Sequence, residues 1–280
     1  MKLTEVIRKV APAVVAFGSR IAESQDPTVP GSPPLIGTGF FLDSRGLVVT
    51  NQHVVDALQE IPAKARFVML FPEPISEGGQ TQFGVVLRSI LKTNSISSFE
   101  AGGPFFGEAE PDFAFVQIDV KDVPFLEVCG DSNTLETGLE VATLGFPMGE
   151  VPLMPYDQAK ASQMSTFARK GIISSVLPCP CADPHGFSID IMSEGGASGS
   201  PIFRTDDPRA IGILHGGFPG APITYGVPGH LLQSGLEVAT KDWNPDLSNI
   251  PTLREVILSQ RPKGTKEFTW SSKVILKKQS

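Results

Sequence analysis

Short β-forming runs recur about every ten residues along most of this chain, each closed off by glycine or proline. They begin with Val14–Gly18 and continue through Gly39–Leu42, Leu47–Thr50, Arg66–Phe71, Gln82–Arg88 and Phe113–Ile118. They resume at Glu140–Leu144, Gly171–Val176, Phe187–Met192, Pro201–Phe203, Ala210–Leu214 and Thr224–Val227. Such spacing leaves no room for a helix between successive strands, so alternating β-α units are excluded and a barrel or sandwich is expected. The 28 glycines and 25 prolines supply the turns. Asp43-Ser44-Arg45-Gly46 reads as one hairpin turn. Two stretches have helical spacing instead: Leu3–Val10, and Gly229–Thr240 with Leu231, Leu232, Leu236 and Val238.

Charge and composition narrow the function. The formal net charge is −7, and there are only 2 Tyr and 2 Trp, so neither a phosphate backbone nor stacked bases are expected partners. The apolar run Ala11–Phe17 contains a proline and is too short to span a bilayer. No export signal is evident, which sets the expectation of a cytoplasmic protein. Cys129, Cys179 and Cys181 are too few for a disulfide scaffold, and Cys179-Pro180-Cys181 lacks the second ligand pair of a zinc site. They read as free thiols; no metal or cofactor is expected. Ser24–Pro34 and Thr93–Gly107 read as exposed loops, and lysine-rich Pro262–Ser280 as a mobile or edge-pairing tail.

The sharpest local feature is Gly195-Gly196-Ala197-Ser198-Gly199-Ser200-Pro201. A turn this rich in glycine can aim the N–H groups of Gly196 and Ser198 at one point, where they would hold an oxyanion. The Ser198 hydroxyl beside it becomes a nucleophile only if a base takes its proton. Of the four histidines, His53 follows an apolar strand directly and is the best placed. His185 reads as a solvated loop residue and His230 as the opening of the last helix. His215, after the Ile211–Leu214 strand, reads better as a cleft-lining or hydrogen-bonded histidine than as the base. Asp112 opens the apolar run Phe113–Ile118, where a carboxylate needs a partner. Asp43, Asp56 and Asp119 have ordinary turn or surface explanations.

The order His53, Asp112, Ser198 resembles trypsin/chymotrypsin-type serine proteases, and most closely the HtrA/Deg branch. The segments that carry the likeness are GTGFFLDSRGLVVTNQHVV, PDFAFVQIDV, CGDSNTLETGLEVATLGFP, KGIISSV, GGASGSPIF, AIGILHGG and TYGVPGHLL. Together they cover about residues 5–240. The resemblance implies an all-β fold of two six-stranded-type β-barrels, about 14–125 and 126–228, with a short N-terminal helix and a closing helix at 229–240. Residues 1–240 would form the protease unit and 241–280 an extension too short for the PDZ domain usual in that branch.

By the same resemblance His53 is general base, Asp112 orients it, Ser198 attacks the peptide carbonyl, and Gly196 and Ser198 form the oxyanion hole. Met192, Leu214, His215, Gly216 and Gly217 would line the substrate cleft. With no Asp at the pocket floor, small or medium apolar P1 residues are expected. Ala197 stands where zymogen-type relatives carry Asp, so activation by a newly cut N-terminus is not expected. A polypeptide substrate, and a protein partner for targeting or activation, complete the expectations. The competing readings are a catalytically silent peptide-binding module and a subunit active only in a larger complex.

Overall fold

The computed structural model describes residues 1–19, 35–73, 75–77, 80–82, 86–95, 111–147, 155–156, 159–160, 166–177, 183–218, 220–241 and 245–259. The Ser24–Pro34 loop, residues 96–107 of the Thr93–Gly107 excursion, Cys179, Cys181 and the 262–280 tail lie outside them.

Helix α1 (Leu3–Val10) leads into strand β1 (Val14–Ser19), and its buried face is Val6 and Val10. Strands β2 (Leu35–Phe41) and β3 (Leu47–Thr50) flank the expected hairpin turn. Asp43 makes that turn. Its Oδ1 accepts from Arg45 N at 2.8 Å and from Leu47 N at 3.3 Å, and Gly46 sits at φ +89°. An Asx-type turn followed by a left-handed residue favours Asp first and Gly last. Helix α2 (Gln52–Gln59) starts at once after β3 and buries Val54, Val55 and Leu58.

Strands β4 (Arg66–Leu70), β5 (Val86–Arg88), β6 (Ile90–Ser95) and β7 (Ala114–Ile118) complete the first sheet. Its order is β5-β4-β1-β2-β3-β7-β6, seven strands in an open, curled sheet. The expected excursion therefore begins later than Thr93. Thr93, Asn94 and Ser95 pair with Val116, Phe115 and Ala114, which continues the strand.

The second half closes into a six-stranded barrel of β8 (Glu140–Gly145), β9 (Phe167–Leu177), β10 (Gly186–Ile189), β11 (Pro201–Arg204), β12 (Ala210–Gly217) and β13 (Thr224–Pro228). Helix α3 (Gly229–Thr240) follows β13 directly. The architecture is thus all-β with few helices: where two six-stranded barrels were expected, there is one closed six-stranded barrel and one open, curled seven-stranded half-barrel, an arrangement consistent with the chymotrypsin-like double barrel.

One core cluster joins the two halves: Val14, Phe40 and Phe115 meet Leu144, Phe203 and Leu232. A second fills the first sheet, and a third, including Phe187 and Leu214, fills the closed barrel. Helix α4 (Leu253–Ser259) was not anticipated from the sequence. Leu253, Val256 and Ile257 pack into the first-sheet cluster, and the chain before α4 bonds to Lys121 through Lys121 N to Pro251 O and Leu253 N to Lys121 O. Its signal was legible as Thr252-x-x-Glu255: Thr252 N donates to Glu255 Oε2 at 2.8 Å, and Glu255 N donates to Thr252 Oγ1 at 3.2 Å, a capping box.

Truncating a buried leucine costs the transfer free energy plus the cavity left behind. Leu253→Ala is expected to lower stability by about 2–4 kcal/mol, read as a shift in the urea midpoint at unchanged m-value.

Candidate active site

His53 is the second residue of α2, and Asp112 lies just before β7, so pairing of β3 with β7 brings them together. Asp112 grips the start of α2 with both carboxylate oxygens. Oδ1 accepts the His53 backbone N–H at 3.0 Å, and Oδ2 faces His53 Nδ1 at 2.6 Å. Buried Asn51, at the N-cap, donates from Nδ2 to the Asp112 carbonyl at 2.7 Å. The Asp112 side chain is 14% exposed and that of His53 50%, so the carboxylate is sheltered while the ring meets solvent. Burial pushes the Asp112 carboxyl up. The hydrogen bonds from His215 and His53, and the His53 charge, outweigh it and hold the group well below the usual carboxylate range.

Ser198 sits on the turn between β10 and β11. Gly196 and Gly199 both adopt positive φ, +91° and +87°. A side chain at Gly199 would come within 1.9 Å of the Thr38 carbonyl oxygen, so the residue is glycine for space as well as for φ. Among the described residues neither the Gly196 nor the Ser198 N–H donates a hydrogen bond within the chain, which leaves both available to a ligand. Ser198 Oγ makes no hydrogen bond to His53 among the described residues; contacts of this kind commonly tighten only with substrate in place.

Thr38, on β2, was not singled out by its sequence context. It is fully buried, and its N–H and its hydroxyl hold the two halves together. Its N–H donates to Ser198 O at 2.7 Å, and its Oγ1 donates to Gly196 O at 2.7 Å. Oγ1 also accepts from Phe146 N at 3.1 Å, and its carbonyl accepts from Thr50 Oγ1 at 2.7 Å. From the other side, Gly199 N donates to Leu214 O and Leu214 N to Ser200 O, so the turn is clamped between both halves.

The expected cleft residues separate. Met192 is 48% exposed, and a side chain at Gly216 would meet nothing within 4 Å. Gly217 faces Ser193, and a Cβ added at Gly217 would lie 3.1 Å from Ser193 Cβ. Leu214 is buried in the closed-barrel core, and with Met192, Ile191, Ala197 and Ser200 it lines a small pocket beside the Ser198 turn. His215 turns toward Asp112, with Nδ1 3.1 Å from Oδ2. Arg169, also missed, reaches from β9 to the Met192 carbonyl and to Glu194 Oε2, the latter at 3.2 Å. His185 and His230 give no hydrogen bond to Asp112 or to the Ser198 turn among the described residues. Burial lowers the His230 pKa. Cys129 is a free, buried thiol. Among the described residues no group of three His, Cys, Asp or Glu could hold a metal, and no helix is long and apolar enough to cross a membrane.

The trypsin-like peptidase domain family model matches residues 37–213. A probable periplasmic serine endoprotease, DegP-like, from Pseudomonas savastanoi pv. phaseolicola is 25% identical over 270 residues, covering 80% of this chain and 46% of the relative. One of the same name from Halomonas elongata is 27% identical over 206 residues, covering 70% of this chain and 34% of the relative. The chain thus spans less than half the length of these relatives. The serine endoprotease structure from Yersinia pestis superposes with a TM-score of 0.55 at 17% identity, covering 86% of this chain and 68% of that one, a likeness of fold. These names overturn the cytoplasmic expectation, since both curated relatives are periplasmic by name. That expectation rested on the lack of a recognisable export signal among the first residues, and a lack of that kind carries no information on compartment.

Removing the Thr38 hydroxyl would strand the Gly196 carbonyl and the Phe146 N–H in a dry interface. Thr38→Val is expected to cost about 2–4 kcal/mol by chemical denaturation, and Thr38→Ser, which keeps the hydroxyl, under about 1 kcal/mol.

Proposed function

The chain belongs to the trypsin-like peptidase family, and from that membership we propose that it is a serine endopeptidase of the HtrA type acting through His53, Asp112 and Ser198. The observation that carries the proposal is the double grip of Asp112 on His53, one oxygen on the backbone and one on the ring. A carboxylate that faces Nδ1 keeps a proton on that nitrogen and leaves Nε2 as the base.

In this mechanism Nε2 of His53 takes the Ser198 proton as Oγ attacks the scissile carbonyl. Asp112, held ionised, stabilises the imidazolium that forms. The tetrahedral oxyanion lies against the uncommitted N–H groups of Gly196 and Ser198. His53 then gives its proton to the leaving amine, and water hydrolyses the acyl-enzyme by the same steps in reverse order. Every proton moved in this sequence passes through His53.

For specificity we keep small or medium apolar P1 side chains. Glu194 is engaged by Arg169 and so is poorly placed to select a basic residue. Met192 and the open space at Gly216 offer an apolar, uncharged surface. The substrates are polypeptides, and the relatives' names suggest the periplasm as the place of action. A protein partner that targets or activates the enzyme belongs to the same proposal.

Wild type is expected to label with a fluorophosphonate and Ser198→Ala not at all. Asp112→Asn is expected to lower kcat about 10³–10⁴-fold. A wild type that never labels, with or without peptide, defeats the peptidase reading in favour of a silent binding module. For specificity, a peptide library dominated by Lys, Arg or Glu at P1 defeats the apolar assignment.

A further inference from the structure

We infer that Asn51 is a positioning residue of this reaction, one that aims His53 by holding the main chain of Asp112. The inference rests on the serine peptidase reading above.

Asn51 occupies the N-cap of α2, where an asparagine ordinarily turns its side-chain oxygen onto the exposed N–H groups of its own helix. Here it makes no such bond. Its Nδ2 instead donates to the Asp112 carbonyl at 2.7 Å, across 61 residues of sequence. The cap comes from outside the helix: Asp112 Oδ1 accepts the N–H of His53, the second residue of α2, at 3.0 Å. The two segments have exchanged duties, a side chain from each bonding the main chain of the other. The β3–β7 ladder ends at the pair Thr50 and Ala114, so these two bonds carry the pairing past its last rung to His53.

The surroundings of Asp112 make this bond hard to replace. Phe113 N donates to Pro111 O at 2.8 Å, a three-residue turn with Asp112 at its apex, and Phe113 is fully buried. That turn uses the Pro111 carbonyl and leaves the Asp112 carbonyl to Asn51. Asn51 is itself fully buried, so water is a poor substitute for its amide. The acceptor fixes which way that amide points, since an oxygen in place of Nδ2 would set lone pair against lone pair. Among the described residues Asn51 Oδ1 is then left buried with no hydrogen-bond partner. An orphaned buried acceptor costs stability, which a residue serving only to cap a helix need not incur. Fixing the Asp112 main chain fixes its carboxylate, and the carboxylate fixes both the backbone and Nδ1 of His53. Asn51 thus acts on the base through Asp112. It touches neither substrate nor the reacting atoms.

The test uses the full chain and separates a donor to Asp112 from a cap on α2. Aspartate and serine cap a helix as well as asparagine does, but an ionised aspartate has no proton to donate and serine is too short to reach. With a chromogenic peptide, Asn51→Asp, Asn51→Ser and Asn51→Ala are each expected to lower kcat about 10–100-fold with KM within twofold, the scale of loss from a displaced catalytic group. Urea denaturation shows which variants are folded. In those, hydrogen exchange at the His53 amide is expected to rise about tenfold while the closed barrel exchanges as in wild type. In wild type labelled with ¹⁵N-asparagine, NMR is expected to show the Asn51 side-chain amide protected from solvent. An Asn51 amide that exchanges like free asparagine overturns the inference whether or not any variant folds. A folded Asn51→Asp or Asn51→Ser with wild-type kcat, or with an unchanged His53 amide, overturns it as well and leaves Asn51 a helix cap. A wild type that neither labels with fluorophosphonate nor turns over overturns the peptidase reading instead.

Discussion

Thr38 is the joint on which the proposed site depends. The catalytic candidates come from different halves of the molecule: His53 and Asp112 from the first sheet, Ser198 from the closed barrel. Apolar packing between the halves is extensive but non-directional. It brings the halves together without fixing where a hydroxyl lies relative to a ring. The hydrogen bonds of Thr38 supply direction, because each is buried and leaving any one unmade costs about 1–3 kcal/mol. A slip of the halves would break several at once. The Ser198 turn is thus registered to β2, and β2 is registered through β3 to His53.

Asp112 shows which of two opposing electrostatic effects wins. Taking a carboxylate out of water favours its neutral form, and here that is the largest single influence on its ionisation. It is still overcome, because three N–H donors converge on the two oxygens. By contrast Asp119, at the far end of the same strand, is held by Arg88 and the Ser89 N–H, yet burial prevails and its carboxyl is shifted up. The difference lies in how many donors reach the carboxylate from rigid elements, not in burial alone.

What the sequence made legible was whatever depends on neighbours in the chain. Strand runs, the Asp43–Gly46 turn, the α3 boundaries and the glycines around Ser198 all follow from local chemistry. His53 and Asp112 were also legible, since each sits at the end of an apolar strand where a polar residue needs a reason. Thr38 was hidden in Gly-Thr-Gly, an ordinary strand segment, because its partner Gly196 lies 158 residues away. Arg169 looked like any charged residue near a strand start. The turn of His215 toward Asp112 depends on a bulge, and a one-residue register shift leaves no mark in composition. Helix α4 had a capping box, but seven residues carry too little periodicity to stand out. Compartment was never written in these residues, and inferring it from them failed.

The residue at 197 shows how a turn can be kept in order without the usual charge. Ala197 is 7% exposed and packs among Ile173, Ile191 and Leu214 in the closed-barrel core. An acid there would be buried among apolar side chains. Order must come from elsewhere, and the structure supplies it along the preceding segment. Asp190 Oδ1 accepts the Ile172 N–H at 2.6 Å, Arg169 holds the Met192 carbonyl and Glu194, and Ala197 N donates to Glu194 O at 3.1 Å. The Arg169–Glu194 pair is about a third exposed on each side, so its charge attraction contributes no more than about 1 kcal/mol. Its weight lies in geometry: a planar guanidinium bridging a carbonyl and a carboxylate fixes their relative direction. Order in the proposed oxyanion turn is therefore tied to strand β9 and to Thr38.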